Sequence, residues 1–123
     1  MIRIAALILP ALWIVMLTAP ALAASSGALL FNRCKICHSV AAGGASPVGP
    51  NLHGLFGRTA GSAPGFAYSP AMKNSGIVWS ETTLSKFLRN PQAFIPGNRM
   101  GFPGIADEHE VADLVAYLKE ATR

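Results

Sequence analysis

The chain has 123 residues, a formal charge of +4 at pH 7, 51% hydrophobic side chains and only 13% charged ones. That length bounds it to one small domain. With no run of Lys or Arg and no basic helix, the modest positive balance excludes an obvious nucleic-acid footprint.

The first segment is a targeting signal by pattern. Met1-Ile2-Arg3 gives a short positive start, an apolar run follows from Ile4 to Leu17, and Ala21-Leu22-Ala23 offers an A-x-A cleavage site. A retained membrane anchor is the rival reading, because the apolar stretch approaches bilayer-spanning length. Pro10 and Pro20 interrupt or end it, and no polar linker precedes Ser25-Ser26-Gly27, so an anchored domain would lack slack to reach partners. The expectation is cleavage after Ala23, a periplasmic mature domain of residues 24–123, and no stable membrane insertion. Arg3 is the only charged residue removed, which leaves +3.

From Gly27 to about Lys35, Ala28, Leu29, Leu30 and Phe31 predict a compact apolar helix that delivers Cys34-Lys35-Ile36-Cys37-His38. Two thiols three residues apart, followed by an imidazole, can add to both vinyl groups of a haem and supply its iron with a proximal ligand. The rivals fit less well. A structural zinc site needs four ligands, and Cys34, Cys37, His53 and His109 are poorly spaced for one. A thioredoxin-like pair belongs in a strand-to-helix context, which is absent, and a disulfide across a two-residue gap is strained. A domain of this size has a marginal core, to which a covalent haem adds volume and a crosslink.

Residues Ser39 to Ala67 are rich in Gly, Ala, Ser and Pro and show no sustained period; a loop of this length is functional or wrapped around something. Ser69-Pro70 predicts an N-cap and first-position proline opening a short turn through Lys73. Ser80 can cap a helix with Leu84, Phe87 and Leu88 on one face. Asn90-Pro91 caps another short turn, ended by Pro96-Gly97. Asp107 and Glu110 have the form of a capping box, and Val111, Leu114, Val115 and Leu118 recur at helical spacing. Val78 and Trp79 alone make no strand, so the predicted class is all-α.

Thioether sulfur is a soft ligand that raises the potential of haem iron, as suits an electron carrier. Met72 and Met100 are the candidates outside the leading segment. Met72 has an ordinary reading as a gap-filler. Met100 follows the turn Pro96-Gly97-Asn98-Arg99, which can hold a loop side chain against a haem face, and is the favoured choice. His109, on the polar side of the last helix, and His53, in the Gly-rich loop, read as solvated.

Several blocks in order resemble class I cytochromes c, close to the mitochondrial cytochrome c and bacterial cytochrome c2 group. They are Cys34-Lys35-Ile36-Cys37-His38, Gly49-Pro50-Asn51-Leu52-His53-Gly54-Leu55-Phe56-Gly57-Arg58, Ala63-Pro64-Gly65-Phe66-Ala67-Tyr68, Lys73-Asn74-Ser75-Gly76-Ile77-Val78-Trp79, Asn90-Pro91, Ile95-Pro96-Gly97-Asn98-Arg99-Met100 and Ala112-Asp113-Leu114-Val115-Ala116-Tyr117-Leu118-Lys119. The resemblance covers residues 26–123. It implies the cytochrome c fold, with short helices and long loops around one haem c held through Cys34 and Cys37. His38 and Met100 become the iron ligands, and the carbonyl of Pro50 accepts the other imidazole N–H. Arg58, Tyr68 and Trp79 match the shell around the inner propionate, while Gly27, Phe31, Leu114 and Tyr117 match a crossing of the first and last helices.

The departures are as informative. Met72 stands where mitochondrial relatives have an Asn near the haem, and Phe87 where they have a Tyr whose hydroxyl approaches the axial sulfur. Asn98 replaces a Thr and could still bond a propionate. Around the haem edge Arg33 and Arg99 match members of a basic ring and Lys35 lies nearby, but Gln92 replaces a Lys and Ala106-Asp107-Glu108 replaces a Lys run. Two ionised propionates would bring the net charge to about +1. This thinned ring implies a docking patch with more apolar character around Val48, Phe102, Pro103 and Ile105.

The function implied is a soluble, monomeric, periplasmic one-electron carrier that is not an enzyme. It would dock transiently with a bc1-type complex, a terminal oxidase, a photosynthetic reaction centre or a periplasmic dehydrogenase. The alternatives are a haem enzyme or ligand sensor in which Met100 leaves the iron, and a dedicated haem subunit of a dehydrogenase.

Overall fold

The computed structural model describes residues 26–46 and 48–123. The expected signal segment, residues 1–23, and the boundary after Ala23 lie outside the described residues.

Helix α1 covers residues 26–31. The regular helix expected to reach Lys35 stops sooner because the chain tightens. The N–H groups of Arg33 and Cys34 return to carbonyls three residues back, those of Leu30 and Phe31, in the manner of a 3₁₀ turn. The His38 N–H then closes a full α-turn onto the Cys34 carbonyl at 2.9 Å, enclosing the cysteine pair.

Four more helices follow the cap chemistry of the sequence. Helix α2, Pro70–Lys73, starts at Ser69, whose hydroxyl accepts the Met72 N–H at 3.1 Å. Helix α3, Glu81–Arg89, is capped by Ser80, which accepts from the Thr83 N–H at 3.2 Å while Thr83 Oγ1 accepts from the Ser80 N–H at 2.8 Å. Helix α4, Pro91–Phe94, is capped by Asn90. Helix α5, Glu108–Ala121, begins at Asp107, whose carboxylate accepts from the His109 and Glu110 N–H groups. The reciprocal box expected at Asp107 and Glu110 is built instead at Ser80 and Thr83, where a short hydroxyl reaches back across the turn. Val78 forms one isolated bridge with Thr59, which clips the long loop to the segment entering α3; the described residues contain no longer strand.

The core lies where α1, α3 and α5 meet. Phe31 and Leu114 are 1% exposed, and Leu84, Phe87, Leu88, Val111 and Leu118 join them. Each such side chain contributes about 1.5–3 kcal/mol when fully buried. The Phe31 and Tyr117 rings pack with centroids 5.4 Å apart. A Cβ on Gly27 would collide with the Asp113 carbonyl and come within 2.5 Å of the Tyr117 Cβ, so the crossing of α1 and α5 requires glycine there. Ion pairs Arg89–Glu108 and Lys119–Glu81 link α3 to α5 at the surface, where screening leaves each worth less than about 1 kcal/mol. Among the described residues no helix is long and apolar enough to cross a membrane.

Candidate functional site

The loops and helices enclose a cavity of about 490 Å³, within the range of cofactor pockets. All eight residues singled out from the sequence line it: Cys34, Cys37, His38, Pro50, Arg58, Tyr68, Trp79 and Met100. They come from different parts of the chain. The turn after α1 brings the thiols and imidazole, the long loop brings Pro50, Arg58 and Tyr68, the bridge segment brings Trp79, and the stretch after α4 brings Met100. Leu52, Leu55, Leu84 and Leu88 supply apolar wall. Arg33 and Arg99, both exposed, also contribute to the lining.

His38 is held from two sides. Its Nδ1 lies 2.7 Å from the Pro50 carbonyl; a carbonyl only accepts, so Nδ1 carries the hydrogen and Nε2 keeps its lone pair in the neutral ring. Burial pushes the imidazole below its usual pKa range, while the bond to Pro50 acts in the opposite direction. On the other side Gly49 lies so close that a Cβ there would sit 2.5 Å from the ring Cε1. Burial likewise raises the Cys34 thiol, with Cys37 adding to the rise and Arg33 opposing it.

Arg58 donates to the carbonyls of His53 at 3.1 Å and Asn51 at 3.2 Å, which fixes its guanidinium at the cavity wall. Tyr68 Oη accepts from the Ala63 N–H at 3.2 Å, so its own hydrogen is free to donate. Burial raises the Tyr68 pKa, with the Ala63 amide and Arg58 acting against that rise. Trp79 is 7% exposed and packs against Phe87 at 5.1 Å between ring centroids. Met72 and Phe87 line the same cavity as Met100. His53 and His109 are exposed.

Two expectations are corrected. Asn98 has no amide hydrogen left for a propionate: Nδ2 donates to the Pro91 carbonyl at 2.9 Å and the Ile95 carbonyl at 2.8 Å. Ile105 is 4% exposed and cannot belong to a docking patch, because its N–H bonds the Leu88 carbonyl at 2.9 Å and draws the side chain inward. Val48 is 62% exposed and Pro103 is also outside, while Phe102 is half-buried and lines the cavity. The steric role of Gly49 and the bonding of Asn98 and Gln92 escaped the sequence reading. For Asn98 the Pro96-Gly97-Asn98 turn signal was the one local trace.

The residues fit a haem. The cavity combines apolar walls, two thiols one helical turn apart, an imidazole with a free Nε2 and a thioether. Among the described residues no cluster of His, Cys, Asp and Glu could hold a metal ion by itself, so Cys34, Cys37, His53 and His109 do not form a zinc site. Iron whose remaining ligands come from a porphyrin needs no such cluster.

Comparison with known proteins agrees. A profile described as Cytochrome c matches residues 24–122. A cytochrome c2 from Blastochloris viridis is 51% identical over 104 residues, covering 83% of this chain and 82% of the relative. A cytochrome c from Sesamum indicum is 51% identical over 98 residues, 79% of this chain and 88% of its own length. One from Chlamydomonas reinhardtii is 49% identical over 105 residues, 85% and 94% of the two chains. The chain belongs to the cytochrome c family and is an electron carrier with one covalently bound haem c.

Proposed function

We propose that this cytochrome is a periplasmic one-electron shuttle whose haem is attached through Cys34 and Cys37 and ligated by His38 and Met100. The observation that carries the reading is the arrival of a neutral imidazole, with its Nδ1–H committed to Pro50, in the same apolar cavity as the Met100 thioether. When bound, the haem supplies a ferrous–ferric couple. The chain's own residues set its conditions. The Pro50 carbonyl orients the imidazole and makes it more basic. Arg58 and the free Tyr68 hydroxyl offer charge-assisted donors to a propionate, and Trp79 closes the site to water.

Export follows from the signal-like residues 1–23, and the mature domain starts at residue 24, where the family match also begins. Partners dock transiently at the haem edge, in small contacts that dissociate quickly; a bc1-type complex, a terminal oxidase, a reaction centre or a dehydrogenase would fit. N-terminal sequencing of the purified protein is expected to begin at Ala24. The ferric protein should show the weak far-red sulfur-to-iron absorption band, unchanged by peroxide, and the ferrous protein should ignore carbon monoxide. Met100→Ala should abolish the band. Its persistence in that variant, or carbon monoxide binding by the parent, would overturn the reading in favour of another ligand or of a ligand-binding haem protein.

A further inference from the structure

Met100 reaches the cavity from a stretch with no regular secondary structure, residues 95–106. Such segments sit at the low-stability end of a fold unless something ties them. Ile105 N–H ties its far end to the Leu88 carbonyl, and beside Met100 the tie is one buried side chain. Asn98 is 6% exposed. Its Nδ2 donates to the carbonyls of Pro91 and Ile95, and its Oδ1 accepts the Met100 N–H at 3.0 Å. Every hydrogen-bonding atom of the amide is therefore committed to backbone on both sides of the turn. Gln92 braces the same turn from outside. Its Nε2 donates to the Asn98 carbonyl at 2.8 Å and its Oε1 accepts the Gly97 N–H at 3.4 Å.

We propose that Asn98, braced by Gln92, is the positioning residue that keeps the Met100 sulfur in place, so that this clamp sets how readily an outside ligand displaces it. The proposal rests on Met100 being an iron ligand. Asn98 touches no cofactor by this account. It acts through the Met100 backbone, one end of an Asx turn whose other end is anchored in α4. Truncating it leaves the Met100 N–H unpaired and takes one of two donors from each of the Pro91 and Ile95 carbonyls, which keep the Ile95 and Asn98 N–H groups, and water entering at the vacated site loosens the loop. The competing state, in which the loop swings out and a small ligand takes the sulfur's place, becomes more accessible without unfolding the rest of the domain.

The test titrates the ferric holoprotein with imidazole and follows loss of the far-red band. Asn98→Ala is expected to bind imidazole at least about tenfold more tightly than the parent. Ser80→Ala, which removes the cap of α3 away from the cavity, lowers the unfolding midpoint but leaves imidazole affinity within about twofold. Amide hydrogen exchange supplies a second readout: Met100 should lose protection in Asn98→Ala while Leu114 keeps its own. Should Asn98→Ala fail to fold, Gln92→Ala at the exposed end of the clamp is expected to tighten imidazole binding several-fold. Unchanged affinity in the folded variant, or an equal rise in Ser80→Ala, overturns the proposal. Absence of the band in the unaltered protein would instead overturn Met100 as ligand, and the clamp with it.

Discussion

Replacing Gly49 by alanine isolates the steric term that holds His38. The glycine backbone does not adopt a positive φ, so on conformational grounds alone alanine should stabilise the fold by about 0.4–1 kcal/mol through the unfolded chain. Packing opposes this. The added carbon would lie 2.5 Å from His38 Cε1, 2.9 Å from Nδ1 and 3.0 Å from Nε2, whereas ordinary contact starts at 3.4 Å. Relief therefore needs a movement of roughly 0.9 Å, and both parties are tied. Gly49 N–H is bonded to the Cys37 carbonyl at 2.9 Å, and the imidazole is bonded to Pro50 at 2.7 Å. Overpacking of this kind costs about 1–3 kcal/mol, which exceeds the entropic gain. The holoprotein should then melt several degrees lower, at about 4–8 °C per kcal/mol for a domain of this size. Urea unfolding followed by far-ultraviolet circular dichroism measures the stability, and the His38 Nδ1–H resonance reports the bond to Pro50. A variant as stable as the parent, with that resonance unmoved, would refute the steric account.

Three further outcomes can be checked. Phe87→Tyr places a hydroxyl at the wall that Met100 also lines; donation to the sulfur would withdraw charge from it, so the potential should rise and the far-red band weaken, and no change in either would remove Phe87 as a determinant. The Asp107 carboxyl is held below its usual range by the Glu110 and His109 amides. Its ionised form therefore stabilises the fold above the unfolded-state pKa, and that contribution is lost as pH falls through the lower folded-state value; the melting-temperature gap between parent and Asp107→Asn should shrink toward acid pH, and a gap constant with pH would contradict it. Finally, Arg33 and Arg99 line the cavity while Gln92, Asp107 and Glu108 lie exposed without adding positive charge. Turnover with an oxidase should therefore fall less steeply with ionic strength than that of a lysine-rich cytochrome c run alongside, and an equally steep fall would restore a dominant basic ring.

What could be read from the sequence was local in origin. Ser69, Ser80, Asn90 and Asp107 start helices because each short side chain reaches amides two or three residues ahead, and that chemistry needs no knowledge of the fold. Of the eight site residues, Cys34, Cys37 and His38 were legible from their own spacing and Met100 from the turn before it, while Pro50, Arg58, Tyr68 and Trp79 were legible because their types and order match a family. What escaped depended on which backbone groups the folded chain brings within reach. Ile105 follows Pro103-Gly104 and looks superficial until its N–H finds the Leu88 carbonyl. Asn98 looks like a donor to a ligand until Pro91 and Ile95 consume both hydrogens. The tightening after residue 31 reflects the demand of the cysteine turn, which helix propensity does not encode.

The meeting of α1 with α5 has a consequence for how the chain matures. The Phe31 ring packs on Tyr117 of the last helix, Glu108–Ala121, and the Thr122 carbonyl just after that helix accepts the Gly54 N–H. Closing a loop of about ninety residues carries an entropic cost of order 4 kcal/mol, recovered only when both helices are present. A chain emerging from a ribosome cannot complete this contact until α5 is free. Throughout that interval the turn carrying Cys34 and Cys37, which hangs from the Phe31 carbonyl, lacks the support of the last helix behind it.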